Sequence, residues 1–398
     1  MMPLLKLYVV AAEESGDALA GALMAALRAR HPSISLGGVG GRAMAEQGIR
    51  SPFDTADLSI IGLASVARKL PLILRRIRAT ADAIIAAKPD ALIIIDSPDF
   101  THRVARRVRK AAPHIPIINY APPTVWAWRP WRARAMRRYV DEVLAILPFE
   151  PAAFARLDGP HCTYVGHPLA ERIGALRPSA EEARVRISDP PVVLVLPGSR
   201  LSEIRRLMAI FGAALAQAAS DAGPLDLVLP TLPHIADEVA RATAGWPVRP
   251  RIVLAAQDKY AAFRAARAAL AASGTVTLEL ALAQVPTVAA YRIPAWEGLV
   301  FRLMASIDTV ILANLVLGEK AVPEYLQSEC TPERLAAALV RLLADTPERR
   351  RQLEAFARLD TIMDLGSEPP SARAARAVLA AVGGRRASGA LSSSAASC

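Results

Sequence analysis

Short apolar runs alternate with helical patterns through the first half of the chain. LKLYVVAA, ISLGGVGG, ALIIID, IPIINY and EVLAIL read as strands, and Leu19, Leu23, Ala26 and Leu27 share one helix face after the first of them. This alternation predicts βαβ units on a parallel sheet. A stretch rich in proline and charge, roughly Pro168 to Pro191, interrupts the pattern, which restarts with PPVVLVLPGSR, LDLVLP, RIVLAA, RAALAASGT and VPTVAA. A second α/β domain begins there. The expected fold class is α/β, with two Rossmann-like doubly wound domains facing across a cleft, since open sheets of this kind bind ligands outside the carboxyl ends of their strands. Residues 1–168 form the first domain, 169–190 a linker and 191–360 the second domain. Beyond Thr331 the reading is helical, with a capping signal at Thr331-Pro332-Glu333 and a stripe of Leu335, Leu339, Leu342 and Leu343. A helical segment at 361–384 precedes a small, polar tail at 385–398, expected to be disordered.

Composition narrows the class. The chain has 398 residues, of which 53% are hydrophobic and 21% charged, a globular balance. No apolar run approaches the ~18 residues that cross a bilayer, so no membrane-spanning helix is expected. The opening MMPLLKLYVVAAEESGD lacks the basic start and long apolar stretch of a secretory signal, which points to the cytoplasm. Cys162, Cys330 and Cys398 are scattered and lack zinc-site spacing, and read as plain thiols. A net charge of +11, carried mainly by arginine, calls for anionic partners. Nucleic acid, phosphorylated small molecules and an acidic membrane surface all meet that requirement.

Candidate chemistry sits at strand-to-helix turns. Glu13-Glu14-Ser15-Gly16-Asp17 follows the first strand, where exposed helix-start N–H groups attract anions and Gly16 allows close approach. Capping by Ser15 or Asp17 accounts for the same residues. Gly37-Gly38-Val39-Gly40-Gly41 lacks the full dinucleotide spacing. Asp96 and Asp99, in ALIIIDSPDF, end a buried strand where a general base belongs, and no third metal ligand lies near them in sequence. In TVWAWRPWRARAMRR, tryptophans alternate with arginines; Arg129, Arg132 and Arg134 suit phosphate or lipid head groups, and a surface helix with buried Trp explains the pattern equally. In the second domain, Pro197-Gly198-Ser199-Arg200 ends a strand before a helix containing Glu203, a phosphate-binding arrangement without the Walker ending. Ser273-Gly274-Thr275 forms a companion turn, with Glu279 one helical turn later, placed to accept from ribose hydroxyls. Together the two turns point to a nucleotide diphosphate. No histidine pair has metal spacing, and His167, at the domain junction, is the one to watch.

Taken in order, EESGD, IDSPDF, TVWAWR, LPFE, VGHPL, LPGSR, SGTVTLE and AYR resemble the lipid-A-disaccharide synthase family, whose members are inverting enzymes with the glycosyltransferase-B fold. The resemblance runs from the first strand to about Thr361. It implies transfer of diacylglucosamine from UDP-2,3-diacylglucosamine to the 6-hydroxyl of 2,3-diacylglucosamine 1-phosphate. The products are the β-1,6 disaccharide and UDP. It implies no metal or other cofactor and no nucleic acid. It places the enzyme in the cytoplasm, peripheral on the inner face of the inner membrane; a homodimer is compatible with it. The first domain would be the acceptor and lipid side and the second the UDP-sugar side. Asp99 is expected as the base, with Asp96 and Glu14 as alternatives. Ser15, Gly16, Trp126, Arg129, Gly198, Ser199, Arg200, Ser273, Gly274, Thr275, Glu279 and Asn314 are the expected substrate contacts. The chain departs from the family at Glu13, where glycine is usual, which touches the detail of acceptor binding.

Two other classes fit parts of the pattern: a UDP-sugar epimerase of the same fold, and a non-enzymatic basic protein that binds RNA or membrane. The segment Ile60–Ile85 bears on the choice. Leu70, Ile73, Leu74 and Ile77 form an apolar stripe beside Lys69, Arg75, Arg76 and Arg78, the make-up of an interfacial helix or of a core helix with a solvated basic face.

Overall fold

Runs rich in valine, isoleucine and leucine suit parallel strands because helices cover both faces of such a sheet. The computed structural model describes residues 4–55, 63–294, 308–366 and 368–395. Ile60 and Cys398 lie outside them. Among the described residues the strands form two parallel sheets of six, and the chain divides into two compact units, Met1–Pro168 with Ser367–Cys398, and Leu169–Gly366.

In the first unit the strands are β1 (Lys6–Ala11), β2 (Ser35–Val39), β3 (Ala91–Ile95), β4 (Ile117–Tyr120), β5 (Glu142–Ala145) and β6 (His161–Tyr164). Their order is β2-β1-β3-β4-β5-β6, so the winding reverses between β1 and β3, where Leu7 pairs with Ala91 and Ala11 with Ile95. Alternate residues of β1 enter opposite cores: Leu7, Val9 and Ala11 on one face, Tyr8 and Val10 on the other. The first face is completed by the last helix, Pro370–Ala395, through Ala374, Ala375, Val378 and Val382. The backbone of that helix runs through most of the stretch whose composition marks a tail; its alanines are strong helix formers.

The helix Leu63–Ala87 divides the apolar stripe of its sequence. Ile77, Ala81 and Ile84 are buried and Ile73 packs beside them, whereas Leu70 and Leu74 remain 42% and 40% exposed. Residues 70 and 74 lie one turn apart on a neighbouring face from 73 and 77, so core and surface share what reads as one stripe.

In the second unit β7 (Val192–Leu196), β8 (Asp226–Pro230), β9 (Arg251–Val253), β10 (Ala268–Ala272), β11 (Thr287–Tyr291) and β12 (Glu324–Leu326) are ordered β12-β11-β10-β7-β8-β9. Here the reversal falls between β7 and β10. The helix Pro332–Leu343 starts as its capping signal requires, the Thr331 hydroxyl accepting from Arg334 N–H, and buries Leu335, Leu339, Leu342 and Leu343. Just ahead of β7, the buried Arg186 guanidinium donates to the carbonyls of Phe263, Arg264, Ala283 and Gln284 and fastens the entry segment to this unit.

Candidate active site

A sheet whose winding reverses leaves an opening at the carboxyl ends of the two central strands. In the second unit those strands are β7 and β10, and the turns that leave them are Pro197–Arg200 and Ser273–Thr275. They line a cavity of about 580 Å³, within the size range of small-molecule sites. Gly198 has φ +111°, and a Cβ there would collide with the Glu203 carboxylate. That carboxylate is buried and accepts from the backbone N–H groups of Ser199 and Arg200 (3.0 and 3.2 Å), from Arg200 Nη1 (3.2 Å) and from the Tyr291 hydroxyl (3.3 Å). Burial, and then Glu203, pushes the Tyr291 hydroxyl pKa up, which keeps it a donor. Glu203 therefore ties the turn shut from inside. Two of the turn amides expected to meet an anion are spent on it, and the positive group the turn presents is the Arg200 side chain, 76% exposed.

The second turn leads into the helix Val276–Leu282, where the Thr277 hydroxyl donates to the Gly274 carbonyl at 2.8 Å. One turn on, the Glu279 carboxylate faces the cavity and pairs with Lys259 of the helix Ala256–Ala265. The other end of the cavity is apolar, with Leu232, Val253 and Leu254 beside Thr231, whose buried hydroxyl has no hydrogen-bond partner. One end thus suits anionic and hydroxyl groups, and the other a flat heterocycle.

In the first unit the turns after β1 and β3 meet. The Ser15 hydroxyl donates to Asp96 Oδ2 at 2.7 Å, and a Cβ on Gly16 would lie 3.2 Å from Asp96 Cβ. Asp96 and Ser97 both adopt left-handed backbone, φ +53° and +43°, and Ser97 N–H donates to Asp96 Oδ1 at 2.8 Å. Consecutive non-glycine residues in this region store strain of the sort found at functional sites. Asp99 sits in the first turn of the helix Pro98–Ala111, 86% exposed, 3.5 Å from Arg132. Glu14 opens the helix Glu14–Arg30 and is exposed.

Three further residues are held by partners within the chain. Trp126 is buried, its indole N–H donating to Glu150 at 3.1 Å and its ring packing edge-on against Phe149, so it braces two loops. Glu150 also accepts from the N–H groups of Ile146 and Leu147, and burial pushes its pKa up to about 7. Asn314 is buried with its amide bonded both ways to the backbone of Val322, and it does not line the cavity. Asp17 does not cap its own helix; it accepts from Gly41, Ala43 and Met44 N–H, capping the helix Arg42–Glu46. That cap bears on Gly41, where a Cβ would sit 3.0 Å from the Asp17 carboxylate, whereas one on Gly38 would meet the Val9 carbonyl and one on Gly40 the Met44 side chain. Arg129, φ +55°, lies over Trp128. Burial lowers the pKa of His167 to about 4, leaving a neutral ring. Among the described residues no group of His, Cys, Asp and Glu gathers as a metal site.

A model of the lipid-A-disaccharide synthetase family matches residues 7–378. The chain belongs to this family. Relatives agree: a lipid-A-disaccharide synthase of Rhodopseudomonas palustris (strain HaA2) is 60% identical over 94% of this chain and 95% of its own, and one of Nitrobacter hamburgensis is 59% identical over the same shares. Among solved structures, the UDP-GlcNAc 2-epimerase of Neisseria meningitidis bound to UDP-GlcNAc superposes with a TM-score of 0.58 at 13% identity, over 95% of this chain and 98% of that one. At that identity the likeness is one of fold. It places the chain among proteins of glycosyltransferase-B type, and the family match separates it from the epimerases. The chain is a glycosyltransferase of lipid A biosynthesis.

Proposed function

We propose that the chain joins UDP-2,3-diacylglucosamine to 2,3-diacylglucosamine 1-phosphate, with the UDP moiety held in the second-unit cavity. The observation that carries this reading is that cavity: an exposed arginine on one turn of the switch point and a buried, lysine-paired glutamate in the helix that follows the other, in a member of this family. Arg200 meets the diphosphate, Glu279 accepts from the ribose hydroxyls, and Leu232 and Leu254 flank the base. As the anomeric C1–O bond breaks, its electron pair goes to the diphosphate, and Arg200 stabilises the growing charge.

Inversion in one displacement needs a base for the acceptor 6-hydroxyl. Here the geometry favours Asp96 over Asp99. Asp96 is held by Ser15 and Ser97 on strained backbone at the switch point, and its carboxylate retains lone pairs after both bonds. Asp99 points its carboxylate into solvent beside Arg132. The acceptor oxygen attacks C1 as its proton passes to Asp96, and UDP departs from the opposite side. Leu70 and Leu74, exposed among Arg75 and Arg78, would rest on an anionic membrane surface that presents the acylated substrates. Among the described residues no helix is long and apolar enough to cross a membrane.

The test is product mass: the donor with the acylated acceptor should yield the disaccharide 1-phosphate, and UDP should appear only when the acceptor is present. Release of UDP, or conversion of the donor sugar, without acceptor would refute the reading.

A further inference from the structure

Lys259 is absent from every motif of the sequence, yet it enters the cavity beside Glu279. Its Nζ lies 2.8 and 3.0 Å from the two oxygens of that carboxylate. The same ammonium sits 5.3 Å from the centroid of the buried Phe263 ring and 5.7 Å from that of Tyr260. The Glu279 side chain is 11% exposed and that of Lys259 33%. Among the described residues this is the only ion pair Glu279 makes.

We propose that Lys259 is a positioning residue of the nucleotide site: its ammonium fixes the Glu279 carboxylate so that one oxygen is offered to each ribose hydroxyl. The proposal rests on the reading of Glu279 as the ribose acceptor. Three features support it. A carboxylate has about four lone-pair sites, so a cation shared between both oxygens leaves one or more on each for a cis-diol. The carboxylate would otherwise set a negative charge beside a dianionic diphosphate in a partly desolvated cavity, where repulsion is strong. Lys259 cancels that charge and leaves Arg200 free to act on the phosphates. The Phe263 and Tyr260 rings add cation–π attraction that helps hold the ammonium in place.

The experiment measures binding of UDP, 2′-deoxy-UDP and 3′-deoxy-UDP to the full chain and to Lys259→Met, Lys259→Arg and Glu279→Gln, with thermal midpoints recorded for each. Lys259→Met should weaken UDP about 10–100-fold, the scale for losing a charge-assisted partner. It should also abolish the preference for UDP over both deoxy analogues, while Lys259→Arg, which can bridge the same two oxygens, restores that preference. If Lys259→Met does not fold, Lys259→Gln takes its place. Wild-type UDP binding in the folded variant overturns the proposal. So does equal weakening of all three nucleotides, which would make Lys259 a counter-charge for phosphate only. An unchanged deoxy preference in Glu279→Gln would overturn the underlying ribose reading, and that failure is separate because it appears with Lys259 intact.

Discussion

Exchanging Asp96 for asparagine tests the mechanism most directly, because the site predicts a large chemical effect and a small structural one. Asparagine can still accept Ser97 N–H through its carbonyl, and its amide can donate to Ser15 Oγ if that hydroxyl turns round. Two charge-assisted bonds become neutral ones, costing on the order of 1–2 kcal/mol of stability together. The lost proton acceptor is worth far more in rate, about 10²–10⁴ in turnover. UDP affinity should stay within about twofold, since every residue lining the cavity proposed for the nucleotide belongs to the second unit. The control is Asp99→Asn, which gives up one ion pair 3.5 Å long on an 86% exposed carboxylate, worth about 0.2–1 kcal/mol. Single-turnover assays with saturating donor, beside a binding titration with UDP, separate chemistry from affinity. A collapse of turnover in Asp99→Asn with near-normal Asp96→Asn would refute the assignment and return the base to the exposed acid; a collapse in Glu14→Gln alone would move it to the first turn.

Arg200→Ala should lower turnover roughly 10²–10³-fold, the scale for one preorganised donor to a developing anion, and near-normal kinetics would remove Arg200 from the diphosphate. Leu70→Ser with Leu74→Ser should weaken binding to anionic vesicles without lowering the thermal midpoint, whereas Ile77→Ser should destabilise, because only Ile77 is buried; a large loss of midpoint in the first pair would return the whole stripe to the core. Glu150 supplies a pH test. Its folded pKa, raised to about 7 by burial, exceeds its unfolded value, so the native state binds more protons between about pH 4.5 and 7 and the contribution of Glu150 to stability declines as pH rises. His102 and His167, both lowered to about 4, chiefly by burial, act in the opposite sense below pH 6.5. The difference in chemical-denaturation stability between the wild type and Glu150→Gln should therefore shift by about 3 kcal/mol from pH 4.5 to above 7, and a difference independent of pH would disprove the assignment.

Most strands of both sheets were legible in the chain, because buried parallel strands read as apolar runs and several end in a turn with glycine or an acid; the edge strands β6 and β12, HCTY and EYL, carry no such run. The turns at Pro197–Arg200 and Ser273–Thr275 were legible for the same reason. What the pattern concealed were partners distant in sequence. Nothing local says that the Tyr291 hydroxyl donates to Glu203, that Asp17 caps a helix 25 residues on, or that Trp126 spends its N–H on Glu150. Asn314 shows the same limit from the other side: a polar residue in a family position turned out to be satisfied by main chain. Lys259 stands in a stretch without motif and reaches the site only through the packing of its helix.

The placement of the last helix has a consequence for biosynthesis. Ala374, Ala375, Val378 and Val382 complete a core begun by Leu7, Val9, Leu23 and Leu27, and about 200 residues of the second unit are encoded between the two parts. At ordinary rates of translation those residues take roughly 10–40 s to make. For that interval the nascent first sheet has one incompletely covered face at the ribosome, while the second unit, continuous in sequence, can close its own core. The order in which the two cores reach completion is thus the reverse of the order in which their first strands emerge.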